Sequence, residues 1–192
     1  MTRLFCLLLA IASCCLACNN ATQETSQTKT DSAAANPVNE WKFGVALWTF
    51  HNMNFPDALA RVDSAGIKYI EPNTFHATGP ELKDSMVMQL SPVGIEKLKA
   101  MIAAKGLTVE SIYIVGDSTI NSWKKQFDIA KQLGVKFVTT EPPLNLWDEL
   151  DSLAGVYGVK VAIHEHWRGV SNYWDTDTTL MALKGHPNFA VC

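Results

Sequence analysis

From residue 41 onward the chain repeats one pattern: a glycine, a short run of β-branched or aromatic residues, and then polar residues. Glycine suits the left-handed conformation that closes a helix, and the run after it has the composition of a β-strand. Each copy therefore predicts the junction between a helix and the next strand. The four copies lie at residues 66–71, 106–113, 134–141 and 158–164.

The segments between these junctions predict helices. Ser91 and Pro92 suit the N-cap and the first helical position, and apolar residues follow them at the spacing of one helix face. The same spacing recurs over residues 123–133 and 146–157, and the segment 55–65 carries Pro56 in its first turn. Strands that alternate with helices predict a parallel sheet covered by helices.

The number of strands predicts the architecture. With a first strand at residues 42–48, the chain has five βα units, and a sixth strand begins within residues 186–192. A closed barrel of eight such units takes roughly 250 residues. No GxGxxG or GxxxxGK[ST] motif follows a strand, which argues against an open nucleotide-binding sheet. We predict an α/β fold, an incomplete (β/α)8 barrel over residues 41–192, and we expect the chain to be a fragment or to need another chain.

The N-terminal 18 residues have a different pattern. A single arginine precedes an apolar run at residues 4–12, and small residues and cysteines follow it. The run is too short to span a bilayer and predicts a secretory signal peptide. Its end resembles the lipobox of bacterial lipoproteins, in which a cysteine is acylated. Cys14 fits the motif better, and Cys18, which we favour, leaves a signal of more usual length.

Residues 19–40 predict a flexible linker. They are rich in Thr, Ser, Ala, Asn and Gln, with no large apolar residue before Val38, and so cannot form a core. A tether after a lipidated cysteine predicts an exported domain held at a membrane by its lipid anchor alone, in the periplasm or at the cell surface.

Composition narrows the range of partners. An apolar content of 47% and a charged content of 18% are typical of a globular protein. The formal net charge of −3 offers no basic field for phosphates, which argues against nucleic acid as the main partner. The oligomeric state stays open at this point.

The carboxyl ends of the predicted strands carry the candidate chemistry, because the active sites of such barrels lie at that end. On strand five, a period of two turns Ala162, His164 and His166 toward the barrel axis if Val161 and Ile163 face the helices. His or Glu residues lie at the ends of four of the five strands: His51, Glu71, Glu141, and His164 with His166.

Carboxylates and imidazoles around one centre supply the acid and base for moving a proton. We therefore predict Glu141, His164 and His166 as catalytic residues, with satisfied polar rim residues as the alternative interpretation. Trp48, Trp167 and Trp174 are predicted to stack on a sugar, with packing as the alternative. The predicted substrate-binding set is Trp48, Glu71, Trp167 and Arg168.

The stretches GIKYIEPN, KGLTVESIYI, LGVKFVTTEPP and YGVKVAIHEHWRG, followed by YWDTDTTLMAL, resemble the sugar phosphate isomerase/epimerase family of xylose isomerase-like TIM barrels. The resemblance covers residues 41–192. It implies a divalent metal ion, Mn, Mg, Zn or Co, held by Glu141 and a strand-five residue, here His164, with further ligands on strands six to eight. Many relatives carry Glu where His164 stands, so His164 either binds the metal or contacts the substrate.

The resemblance also implies a reaction, the metal-dependent removal of a proton next to the carbonyl of a small sugar. For an exported domain we expect a free or keto sugar rather than a sugar phosphate. Two alternatives remain: a lyase or hydratase of 3-keto-glycosides on the same fold, and a non-catalytic carbohydrate-binding lipoprotein.

Overall fold

The computed structural model describes residues 41–192, and residues Lys42–Cys192 form one compact unit. The predicted signal peptide, both candidate lipobox cysteines and the predicted linker lie outside the described residues. Among the helices that are described, none has the length and apolar character needed to cross a membrane.

Strands and helices alternate along the described chain. The helices are α1 (Phe55–Ser64), α2 (Pro92–Ala104), α3 (Ile120–Leu133), α4 (Trp147–Tyr157) and α5 (Thr176–Leu183). The strands are β1 (Gly44–Ala46), β2 (Tyr69–Glu71), β3 (Thr108–Val109), β4 (Ser111–Tyr113), β5 (Phe137–Thr140), β6 (Lys160–Ile163) and β7 (Phe189–Val191). Short 3-10 helices lie at Leu47–Phe50, Pro80–Leu82, Val87–Gln89, Leu144–Leu146 and Asn172–Trp174.

Parallel strand pairs follow the order β1-β2-β3 and β4-β5-β6-β7. Strands β3 and β4 are two parts of one barrel strand, separated by Glu110. From the Ile70–Val109 pair to the Asn73–Tyr113 bridge, one side advances three residues (70 to 73) and the other four (109 to 113). This extra residue is a β-bulge, which bends a strand and so curves the sheet. The six predicted barrel strands and the (β/α) barrel fold class are confirmed.

The helix ends confirm the predicted signals. The Ser91 hydroxyl accepts a hydrogen bond from the Gly94 N–H at 3.3 Å, at the start of α2. Gly134 and Gly158 close α3 and α4 in the left-handed region, with φ of 77° and 68°. These residues therefore set where each helix stops and the next strand begins.

The core lies between the sheet and the helices. Its largest fully buried side chains come from both layers, and they include Phe55, Ile70, Leu98, Ile112, Trp123 and Phe127. On β6, Val161 and Ile163 belong to this core, while Ala162 between them is buried on the opposite face of the strand. Strand β6, which is the fifth strand of the predicted barrel, therefore has the alternation that turns Ala162 toward the barrel interior.

Candidate functional site

A cavity of about 370 Å³ opens at the carboxyl ends of the strands. It collects side chains that follow or end β1, β2, β4 and β6, elements far apart in sequence. Five of the predicted site residues are among those that line it. The lining consists of Ala46, Trp48, Glu71, Phe75, Tyr113, His164, His166 and Trp167.

Glu141, which follows β5, joins two of the lining residues. Its Oε1 accepts a hydrogen bond from the Tyr113 hydroxyl at 3.1 Å and lies 3.0 Å from the His166 Nε2. The Glu141 and His166 side chains are each 24% exposed, so water shields the pair only in part. The structure therefore pairs Glu141 with His166, and the predicted catalytic residues Glu141 and His166 are in direct contact.

His164 belongs to the same cluster without touching Glu141 by a hydrogen bond. Its ring packs edge-on against His166, with centroids 4.8 Å apart, and against Tyr113 at 5.5 Å. Strand β6 ends at Ile163, so both histidines lie just beyond it and still face the cavity. Glu165 between them is exposed.

Glu71 is held in the barrel interior by two neighbouring strands. Its Oε2 accepts hydrogen bonds from the Thr139 hydroxyl at 2.6 Å and from the Ser111 hydroxyl. Both hydroxyl residues are buried. Because two donors fix this carboxylate, it presents a defined negative group to the cavity.

Tyr113 lies between the two carboxylates. Burial raises the pKa of the Tyr113 phenol, and the negative charge of Glu141, its hydrogen bond and the charge of Glu71 raise it further. The phenol therefore stays protonated at neutral pH and serves as a hydrogen-bond donor to Glu141.

An alkaline titration followed by tyrosinate absorbance tests this environment. Unfolded tyrosine ionises near pH 10, whereas the raised pKa of Tyr113 makes the folded state resist ionisation. Below about pH 10 both states keep the phenol proton, and the folded state has its full stability. As the pH rises above about 10, the unfolded state releases a proton that the folded state keeps, so the free energy of unfolding falls. We expect Tyr113→Phe to reduce the fraction of tyrosine that ionises only on unfolding. An unchanged titration curve would contradict the burial of Tyr113 beside the carboxylates of Glu141 and Glu71.

Exposed indole rings flank the cavity. Trp48 is 57% exposed and packs edge-on against Phe75 at 5.7 Å, and Trp167 is 73% exposed and packs edge-on against His166 at 5.4 Å. Arg168 lies outside the lining, where its guanidinium covers the Trp174 ring at 5.0 Å. The structure thus brings Trp48 and Trp167 to the cavity and leaves Arg168 beside it.

Glu141 and the histidines near it carry the types of ligand atom that bind divalent metals. A carboxylate oxygen and imidazole nitrogens are ligands of borderline transition metals. Within residues 41–192, however, no group of three or more His, Cys, Asp and Glu side chains converges tightly enough to hold an ion. The described residues therefore fit part of a metal site, and the ligand roles of Glu141 and His164 remain predictions.

Sequence reasoning missed two residues of this site. Tyr113 was visible as the last residue of strand three, but a tyrosine there carries no spacing signal, and only the fold shows that it meets Glu141. Phe75 lies in the loop after β2, and nothing in its local sequence separates it from a packing residue. Both became visible once the strand ends were brought together.

The chain matches no protein-family model and no curated protein. Solved structures do resemble it. A protein of unassigned activity from Parabacteroides distasonis is 30% identical, with a TM-score of 0.69 over 80% of this chain and 62% of that one. A xylose isomerase-like TIM barrel protein from Mycobacterium smegmatis, in complex with magnesium, is 15% identical, with a TM-score of 0.60 over 80% and 64%.

A sugar phosphate isomerase/epimerase from Parabacteroides distasonis is 16% identical, with a TM-score of 0.54 over 77% of this chain and 66% of that one. The fold of the described chain is therefore that of a TIM barrel. Its neighbours are xylose isomerase-like and sugar phosphate isomerase/epimerase proteins, which matches the family that the sequence resembles. The chain spans 62% and 64% of the first two of these structures.

Proposed function

We propose that this chain is a sugar isomerase/epimerase-type enzyme domain that removes a proton next to the carbonyl of a free or keto sugar. One observation carries the proposal: the Glu141–His166 pair, at 3.0 Å, lies at a cavity that two exposed indole rings flank. Proton abstraction needs a base at the reacting carbon, and sugar binding favours aromatic faces beside polar groups.

The two carboxylate oxygens of Glu141 have different contacts. Oε1 holds both the Tyr113 hydroxyl and the His166 ring, and within residues 41–192 Oε2 has no hydrogen-bond partner. In the proposed reaction Oε2 takes the proton from the carbon next to the carbonyl. Tyr113 and His166 keep the carboxylate oriented, and the Glu141 carboxyl then returns the proton to the sugar, so that no proton is gained or lost over the reaction.

The charge of the cavity favours a neutral sugar. Its described lining contains Glu71 and two histidines but no lysine or arginine, and the Glu141 carboxylate lies beside it. A phosphate dianion next to two carboxylates would be repelled at short range. We infer that a free or keto sugar binds with its ring against Trp48 or Trp167 and its hydroxyls toward Glu71.

A divalent metal ion is part of this proposal, supported by the donor types at Glu141, His164 and His166 and by the magnesium bound to the M. smegmatis protein. Mn, Mg, Zn or Co would serve. When bound, such an ion polarises a sugar carbonyl and stabilises the enediolate that forms on loss of the proton.

The location of this activity is likewise a proposal from the sequence. The signal-peptide pattern of residues 1–18 and the polar linker of residues 19–40 support export and a lipid anchor, with the domain in the periplasm or at the cell surface. An unphosphorylated substrate agrees with that location.

Product analysis separates the candidate functions. The full-length protein is incubated with Mg²⁺ or Mn²⁺ and, in separate reactions, with D-fructose, D-xylulose, their phosphate esters and a 3-keto-glucoside, and the products are separated by chromatography. We expect a new epimer or isomer from a free sugar and less or none from its phosphate. A 3-keto-glucoside that loses its aglycone would instead favour the lyase, which uses the same enolisation. Binding without any product would favour a carbohydrate-binding protein and contradict the proposal.

A further inference from the structure

Two prolines follow Glu141 and deprive its turn of backbone donors. Neither Pro142 nor Pro143 has an N–H group. Pro142 is buried, so its carbonyl needs a hydrogen-bond donor from the protein. The backbone bond of this turn runs from the Leu146 N–H to the Pro143 carbonyl at 3.0 Å, which leaves the Pro142 carbonyl to a side chain.

Tyr173 supplies that donor. Its hydroxyl donates to the Pro142 carbonyl and accepts a hydrogen bond from the Trp147 Nε1 at 2.7 Å. Tyr173 is 3% exposed. Trp147 is the first residue of α4, so the phenol connects both ends of the segment between Glu141 and that helix.

The same tyrosine lies in the 3-10 helix Asn172–Trp174, which follows the loop that carries His166. This loop follows β6, and the Tyr173 N–H donates to the Ser171 hydroxyl at 2.9 Å, which fixes the loop locally. Burial raises the pKa of Tyr173 to about 12, against a smaller lowering from the Trp147 hydrogen bond. The phenol therefore remains a donor over the pH range in which enzymes work.

We propose that Tyr173 is a positioning residue for the proposed reaction: it holds the proline turn of Glu141 against the loop of His166 and so sets their 3.0 Å contact. This inference rests on the proposed function for its catalytic consequence. The positioning itself, in which the buried Tyr173 hydroxyl connects the turn after Glu141 to the segment after β6, rests on the hydrogen bonds alone.

Tyr173→Phe tests the proposal, because it keeps the ring and removes both hydrogen bonds of the hydroxyl. The matched control is Tyr157→Phe, which removes the bond from an exposed hydroxyl to Asp128 Oδ1 at 2.7 Å on the outer helices. Since displacements near 1 Å can cost about 100-fold in rate, we expect kcat of Tyr173→Phe to fall about tenfold or more. We expect KM to change by less than about twofold, because the sugar-binding indoles are untouched.

Crystal structures of the full-length variants give a readout that needs no activity. We expect the Glu141 Oε1 to His166 Nε2 distance to lengthen beyond hydrogen-bond range in Tyr173→Phe and to stay unchanged in Tyr157→Phe. Trp147→Phe, which removes one bond of the phenol, should give a smaller change in the same direction and serves if Tyr173→Phe fails to fold. An unchanged distance overturns the proposal even if the protein is an active enzyme. A lengthened distance in a protein without sugar turnover supports the positioning role and contradicts the proposed function alone.

Discussion

Glu141→Gln is expected to lower the kcat for sugar turnover by about 10²–10⁴-fold, the range that general acid–base groups contribute. The amide keeps the shape of the side chain and can still accept from Tyr113 through its oxygen, but it cannot take a proton at neutral pH. The measurement is the initial rate of the full-length protein with the sugar that gives product.

The control for this variant is Glu165→Gln. Glu165 lies in the same strand-end region, between His164 and His166, but is exposed and makes no hydrogen bond with its carboxylate among the described residues. The Glu165→Gln variant removes an equal charge from the mouth of the barrel and leaves the Glu141–His166 pair unchanged. Equal losses in both variants would show that net charge, and not the base at residue 141, determines the rate.

Trp123→Ala is expected to lower the free energy of unfolding by about 3–5 kcal/mol, the usual cost of truncating a buried aromatic residue. Trp123 is 1% exposed, and its Nε1 donates to the Asp117 carbonyl at 2.9 Å. Its ring also fills the space over Gly116, where an added Cβ would lie 2.4 Å from the indole. The variant therefore leaves a cavity under the loop that follows β4. Urea unfolding of the full-length protein gives the difference.

Val156→Ala on α4 is the control for this stability measurement. Val156 is 80% exposed, and surface substitutions usually change the free energy of unfolding by no more than about 0.5 kcal/mol. If Trp123→Ala lowered the free energy of unfolding as little as Val156→Ala, the indole could not be part of the core that supports the end of β4 at the site.

Much of the architecture was predictable because the signals are local. A glycine that closes a helix and the β-branched run after it mark each junction without knowledge of tertiary contacts. The alternation on strand five likewise placed His164 and His166 on the cavity side. Glu141 was identified because it lies at the end of a strand, where a parallel barrel collects its functional side chains.

The contacts within the site were not predictable, because they join residues far apart in the chain. The resemblance implied a metal ion held by Glu141 and His164, and nothing in the sequence indicated that Glu141 makes its direct contact with His166, at 3.0 Å. The hydroxyls that hold Glu71 come from strands 40 and 68 residues away. Tyr173 carried no signal in the sequence, because the proline carbonyl that its hydroxyl bonds lies 31 residues earlier.

Deuterium exchange is the most direct measurement of whether this cavity removes a proton next to a carbonyl. The full-length protein is incubated in D₂O with Mg²⁺ or Mn²⁺ and the free ketose, and each carbon-bound hydrogen is followed by NMR. We predict deuterium at one of the carbons next to the carbonyl and at no carbon further away, with the exchange rate lowered by about 10²–10⁴-fold in Glu141→Gln and retained in Glu165→Gln. Product formation with no deuterium at that carbon, or exchange at an unchanged rate in Glu141→Gln, would contradict a proton transfer centred on Glu141.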